Sequence, residues 1–303
     1  MTTTTDTTRW CDRGTIVLLG HSGMLGSVWK EHLGRLVDHS RLVLLDVDTC
    51  DLTDPDALNR SIPDDVSVII NCAAYTDVDG AEEHESLATE INGEAVGRMA
   101  TTCRERNALL MHYSTDYVFD GRASEAYATD TPRSPCNAYG RSKAVGEERI
   151  EESGCEHLII RTSWLYGVHG ANFVRTIARL CREREELQVV DDQRGRPSSS
   201  KQLVATSLAL LESGARGMFH ATDSGECTWY ELACAIVERM NPSCRVAPCG
   251  SEVYPRPASR PSYSVLDIER TSRIVGDIPH WREALCSVLT TMLEEGSGHE
   301  TSS

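Results

Sequence analysis

Five apolar or β-branched residues, Thr15 to Leu19, pass directly into Gly20-His21-Ser22-Gly23-Met24-Leu25-Gly26, after which the pattern turns helical. This junction constrains the fold more than any other feature. A GxxGxxG between a buried strand and a helix makes a tight turn, brings backbone close to a pyrophosphate and lets helix pack on strand. The helix N-terminus then turns its partial positive charge toward the phosphates. Gly20, Gly23 and Gly26 are therefore candidate dinucleotide contacts.

The rest of the first half repeats that alternation. Short buried runs at 15–19, 42–45, 66–70, 109–113 and 158–160 predict parallel strands. Amphipathic stretches at 24–36, 81–106 and 138–150 predict the helices between them. The pattern predicts an α/β, Rossmann-type doubly wound parallel sheet over residues 14–165. Residues 166–294 predict a smaller C-terminal substrate-binding lobe, some of whose segments return to the sheet. Its helices are expected at 171–184, 201–211, 229–240 and 280–293, with strands at 187–190 and 218–220. The rigid, arginine-containing 254–261 stretch is unsuited to a helix interior. Polar tails at 1–13 and 295–303 are expected to be disordered.

Composition narrows the function. A formal net charge of −16 excludes a nucleic-acid surface, since nothing offsets phosphate repulsion. The N-terminus lacks an apolar leader core and no run reaches membrane-span length, so the chain is expected to be cytoplasmic. The 12 cysteines are scattered with no CxxC pair, which predicts small buried side chains and no metal site.

Tyr139-Gly-Arg-Ser-Lys143 sets a phenol and an ammonium one helical turn apart. A free phenol has a pKa of about 10, and a neighbouring cation draws it toward the working range. Such a tyrosine can protonate a carbonyl oxygen as hydride reaches the carbon. Lysine occurs only at Lys30, Lys143 and Lys201, arginine being used elsewhere, which favours a specific role for Lys143. Upstream, His112-Tyr-Ser-Thr-Asp-Tyr-Val-Phe119 ends the fourth strand, where Thr115 or Ser114 offers a hydroxyl to the same carbonyl. Asp46 ends the second strand. A carboxylate there suits ribose hydroxyls and leans toward NADH over NADPH, although a solvated loop aspartate fits the position equally. Asp51 and Leu52 are placed to flank an adenine, and the small residues after Asn71 let a cofactor pass over a strand tip.

These segments resemble the dTDP-4-dehydrorhamnose reductase family, extended short-chain dehydrogenases. The resemblance covers residues 15–293 and rests on GHSGMLG, NCAAYTDVDGAE, HYSTDYVFDG, SPCNAYGRSKAVGE, RTSWLYG, DDQRGRP and the late RPSYSVLD. It implies NADH- or NADPH-dependent reduction of the 4-keto group of dTDP-4-dehydro-L-rhamnose. It also implies a catalytic triad of Thr115, Tyr139 and Lys143, and substrate contacts from Thr115, Asp116 and Trp164. Cofactor contacts implied are Gly23, Met24, Leu25, Asp46, Asp51, Leu52, Ala74, Tyr75, Thr76 and Tyr113, besides Tyr139 and Lys143. Asn172, Gln193 and Arg260 fall in family-like segments. Asn172 and Arg260 fit either the nucleotide diphosphate or surface and interlobe roles. Some family members bridge subunits with magnesium held by glutamates. Val28, Lys201 and Thr291 stand at those positions here and offer no carboxylate, so a monomer or a metal-independent homodimer is expected. The alternatives are a reductase of another nucleotide-linked 4-keto-6-deoxy sugar, or a non-catalytic regulatory subunit of the methionine adenosyltransferase type.

Overall fold

The computed structural model describes residues 10–300, with the side chains of residues 12 and 295–300 outside that description. Six parallel strands make the central sheet: β1 (Thr15–Leu19), β2 (Leu42–Leu45), β3 (Val66–Asn71), β4 (Leu109–Thr115), β5 (His157–Thr162) and β6 (Gly217–His220). Their order across the sheet is β6-β5-β4-β3-β1-β2. The chain leaves β1 in one direction for β2 and in the other for β3. That reversal opens a crevice beyond the strands' carboxyl ends, where ligands of such sheets bind.

Strand periodicity divides the packing into two layers. Ile16 and Leu18 face one layer, with Leu25, Trp29 and Leu33 of the Met24–Leu36 helix and Leu203, Val204 and Leu210 of the Ser200–Glu212 helix. Val17 and Leu19 face the other, against Val96, Met99 and Cys103 of the Ala95–Arg106 helix. Both faces are covered, which is why these strands are uniformly apolar. A further core joins the helices Phe173–Glu183, Trp229–Met240 and Trp281–Glu300 with the paired strands Glu186–Val190 and Arg245–Cys249. β6 carries the chain back from this lobe to the central sheet.

The structure departs from the sequence expectations in four places. The expected 81–106 helix is broken into Gly80–Glu83, Glu85–Thr89, a π turn at Glu90–Glu94 and Ala95–Arg106. The π turn sits where Asn92 is turned inward, 1% exposed. Its amide accepts from Tyr75 N (2.9 Å) and donates to Tyr75 O (2.9 Å) and the Ser142 hydroxyl (2.9 Å). These tertiary bonds outweigh regular helix geometry, as at many functional π bulges. The last helix continues through residues 295–300, where a tail was expected. Residues 10–12 form a short 3₁₀ turn; the remaining tail expectations, at 1–9 and 301–303, lie outside the described residues. The strand Arg245–Cys249 had no expectation, because its Pro248 and its lack of any period-two alternation give a weak strand pattern.

Candidate active site

The three glycines after β1 do different work. Gly20 has φ +74°, and an added Cβ would lie 2.7 Å from Ala73 N. Gly26 would put its Cβ 2.0 Å from Gly20 O, so it sets the closeness of helix to turn. Gly23 is the N-cap of the Met24–Leu36 helix and gives it no side-chain cap. The first-turn amides are thus left for a ligand. Opposite, Asp46 Oδ2 accepts from Ser22 N (3.0 Å) and from the Ser22 hydroxyl, while Oδ1 accepts from Val47 N (2.9 Å). Burial opposes its charge, but these bonds hold its carboxyl below the usual carboxylate range. A cleft of about 740 Å³ runs from this turn past β3 to β4 and Trp164.

At its far end stand Thr115, Asp116, Tyr139 and Lys143, all lining the cleft. Tyr139 and Lys143 lie on the Ala138–Ser153 helix, whose N-cap Asn137 accepts from Gly140 N (2.7 Å). Burial pushes the Tyr139 phenol well above its ordinary pKa, the Asp116 charge adds to this, and a hydrogen bond with Thr115 works against it. Lys143 Nζ donates to Tyr113 O (2.7 Å) and lies 3.2 Å from His112 Nε2. Burial lowers its own pKa to about 8, with the Glu147 charge pulling upward. Tyr139 is therefore a neutral phenol near pH 7, the form that can give a proton. Burial also raises Asp116 to about 6, opposed by the nearby Ser264 and Thr115 hydroxyls. Asp116 Oδ1 accepts from the Thr115 hydroxyl (3.0 Å), while Oδ2 is buried without a partner among the described residues.

Trp164 closes the same end in a strained conformation, φ +48°. Its ring stacks on Trp229 at 3.6 Å and 10°. A side chain at position 195 would collide with it, since a Cβ on Gly195 would lie 2.7 Å from the indole. Such strain persists only where neighbours impose it. Beyond Tyr117, which lines both, a second cavity of about 890 Å³ is walled by Phe173, Trp229, Gln193, Arg256 and Arg260. Arg260 pairs with Asp79 (3.0 Å), tying the second lobe to the loop after β3.

A family model described as the RmlD substrate binding domain matches residues 14–294. The chain belongs to this family. A dTDP-4-dehydrorhamnose reductase from Burkholderia thailandensis is 37% identical over 299 residues, covering 92% of this chain and 99% of that one. A dTDP-4-keto-6-deoxy-D-glucose reductase from Streptomyces niveus is 42% identical over 224 residues, 72% of this chain and 77% of the relative. The solved dTDP-4-dehydrorhamnose reductase of Bacillus anthracis, in complex with NADP, superposes with a TM-score of 0.83 at 33% identity, covering 92% and 99% of the two chains.

Within this RmlD-family chain, most expected contacts share the cleft, including Asp51, Leu52, Ala74 and Thr76. Two do not. Gly26 packs beneath the turn, and Tyr75 packs toward Ala81, Ala88 and Ala138. Tyr113 borders the cleft, but its hydroxyl is held in the core by Trp29 Nε1 (2.8 Å) and Ser207 (2.8 Å). Asn172 caps the Phe173–Glu183 helix, accepting from Arg175 N (3.1 Å), and Gln193 lines the second cavity. Val28 is buried, Lys201 exposed, and Thr291 bonds its own helix. Sequence reading missed Ser22, Asn92 and His112. For Asn92, a poor helix former in the middle of an expected helix was the available signal.

Proposed function

We propose that this chain reduces the 4-keto group of dTDP-4-dehydro-L-rhamnose to give dTDP-L-rhamnose, using NADH or NADPH. The observation that carries this is a half-buried Tyr139, a neutral phenol, beside Thr115 at the end of a cleft that begins at an uncapped helix N-terminus. The related enzymes named for this reaction match nearly their whole length. The first-turn amides of Met24 and Leu25, together with Gly20 and Gly23, would hold the pyrophosphate. Asp46 would take ribose hydroxyls, and the Asn71–Thr76 strand tip, Asp51 and Leu52 would line the rest. When bound there, the nicotinamide supplies the hydride.

Tyr139 gives its proton to the oxygen of the reduced carbonyl, and the Thr115 hydroxyl steadies that oxygen. The unpartnered oxygen of Asp116 accepts a sugar hydroxyl, and Trp164 covers the sugar with an apolar face. Lys143, with its amine between β4 and the cleft, stabilises the phenolate that remains. The nucleotide end enters the second cavity, where Arg256 and Arg260 offer positive charge. Reductases of other 4-keto-6-deoxy sugars remain a second reading, favoured by the Streptomyces niveus relative. The chain works in the cytoplasm as a monomer or a metal-independent dimer; no helix among the described residues is long and apolar enough to cross a membrane. Cofactor oxidation with each 4-keto sugar nucleotide, followed by product stereochemistry, separates the two readings. Cofactor binding without turnover on any of them would instead mark a non-catalytic regulatory subunit.

A further inference from the structure

Beneath Lys143 lies a buried polar array that the chemistry above does not use. His112 is 0% exposed, Asn71 1% and Lys143 2%. Asn71 Oδ1 accepts from Ala73 N (3.0 Å), which fixes its amide so that Nδ2 faces His112 Nδ1 (3.0 Å). The other ring nitrogen, Nε2, lies 3.2 Å from Lys143 Nζ, and Nζ donates to Tyr113 O (2.7 Å).

Counting protons along this line decides the charge it prefers. A neutral imidazole carries one N–H, and an ammonium has donors but no lone pair. Asn71 Nδ2 donates, so Nδ1 must accept and Nε2 must carry the hydrogen. That hydrogen then points at Nζ. A neutral amine fits: its lone pair accepts from Nε2 while one N–H serves Tyr113 O. An ammonium does not fit. If the ring hydrogen stays on Nε2 it opposes Nζ, and if it moves to Nδ1 it opposes Asn71. Either way one donor faces a donor among side chains that are almost wholly buried, and such mismatches are costly there. An imidazolium would only add a clash, and burial followed by the Lys143 charge pushes His112 well below its usual pKa.

We propose that His112, oriented by Asn71, is a positioning residue for Lys143 that presents a ring N–H to its amine and so weakens its hold on a proton. The other groups around Lys143 do not repeat this effect. Glu147, one turn on, favours the ammonium, but its carboxylate is shared by Arg161 (2.6 Å) and Arg133 (2.6 Å). Cys72 is a half-buried thiol whose pKa is pushed up by desolvation, and Tyr139 is a neutral phenol. Burial of Lys143 acts in the same direction as His112. The proposal rests on the reductase reading for its purpose. After Tyr139 has given up its proton, an ammonium that releases readily passes one to the phenolate, leaving phenol and neutral amine, and the amine regains its proton from solvent.

Two measurements on the full-length protein test it. Long-range ¹H–¹⁵N correlation of histidine-labelled protein, with His112 assigned by its loss in His112→Gln, should show a neutral ring carrying its hydrogen on Nε2 at alkaline pH. A hydrogen on Nδ1, or an imidazolium, overturns the proposal. It needs no substrate, so it stands even if the assigned reaction fails. Second, kcat/KM requires the ammonium and should fall as pH rises through the Lys143 pKa. Asn71→Asp accepts an N–H from Nδ1, and His112→Gln can turn its amide oxygen toward Nζ. Each should move that alkaline limb upward by about one unit or more. Folded variants whose limb stays in place overturn the proposal; if neither variant folds, the tautomer of the unmodified protein decides, its His112 signal then assigned by through-bond correlation from the backbone.

Discussion

Asp223 has two carboxyl oxygens in very different surroundings. Oδ2 accepts from the Tyr166 hydroxyl (3.1 Å) and from Ser199 N (3.0 Å). Oδ1 is buried without a partner among the described residues. Burial raises the carboxyl from 3.8 to about 7, against the pull of those two bonds. The folded pKa lies above the unfolded one, so the native state binds the extra proton between about pH 4 and pH 7. Stability from this group is present at low pH and is lost as pH rises through about 7. A shift of roughly three units corresponds to about 4 kcal/mol in full, of which about 2–3 kcal/mol falls between about pH 5 and pH 8. Asp223→Asn keeps an oxygen for both donors and cannot ionise. Its stability relative to the unmodified protein, read from urea midpoints at constant ionic strength, should therefore rise by that amount across the interval. Residues 165–166 pair with 198–199 and follow Trp164 directly, so the same titration should loosen the sugar wall. A stability difference that stays constant with pH, or a variant that is weaker at about pH 8, refutes the reasoning.

Gly26→Ala would press a Cβ to 2.0 Å from Gly20 O, so it should abolish cofactor binding, measured by quenching of tryptophan fluorescence, before it unfolds the second lobe. Trp229→Ala removes the ring stacked under Trp164, and should raise KM for the sugar nucleotide about tenfold or more while cofactor affinity is kept. Because Asp46 suits a free 2′-hydroxyl, NADH should support turnover, and initial rates restricted to NADPH would contradict that placement. With Val28, Lys201 and Thr291 in place of carboxylates, chelator should leave the light-scattering mass unchanged; a mass that drops with EDTA and returns with magnesium would contradict this.

The first half of the molecule was legible because each of its signals is local. An apolar run, a glycine turn and a helical period lie next to one another in the chain, so β1 to β5 and the Gly20–Gly26 turn follow from sequence. Tyr139 and Lys143 were legible for the same reason, being one helical turn apart. What sequence does not carry is which partner a side chain chooses across the fold. Asn92 breaks a helix to bind a loop 17 residues away. Lys143 reaches His112, 31 residues back, rather than acting on Tyr139 alone. Asp223 and Trp229 lie far along the chain from the Tyr166 and Trp164 they hold, and only packing brings them together.

The central claim is that Tyr139 gives the proton that completes carbonyl reduction. The most direct test is the single-turnover rate of cofactor oxidation by Tyr139→Phe at saturating 4-keto sugar nucleotide, beside the unmodified protein. The ring is kept and only the hydroxyl is lost, so cofactor and substrate should still bind while the rate falls on the order of 10²-fold or more. A variant that oxidises the cofactor at near-normal rate would contradict the account.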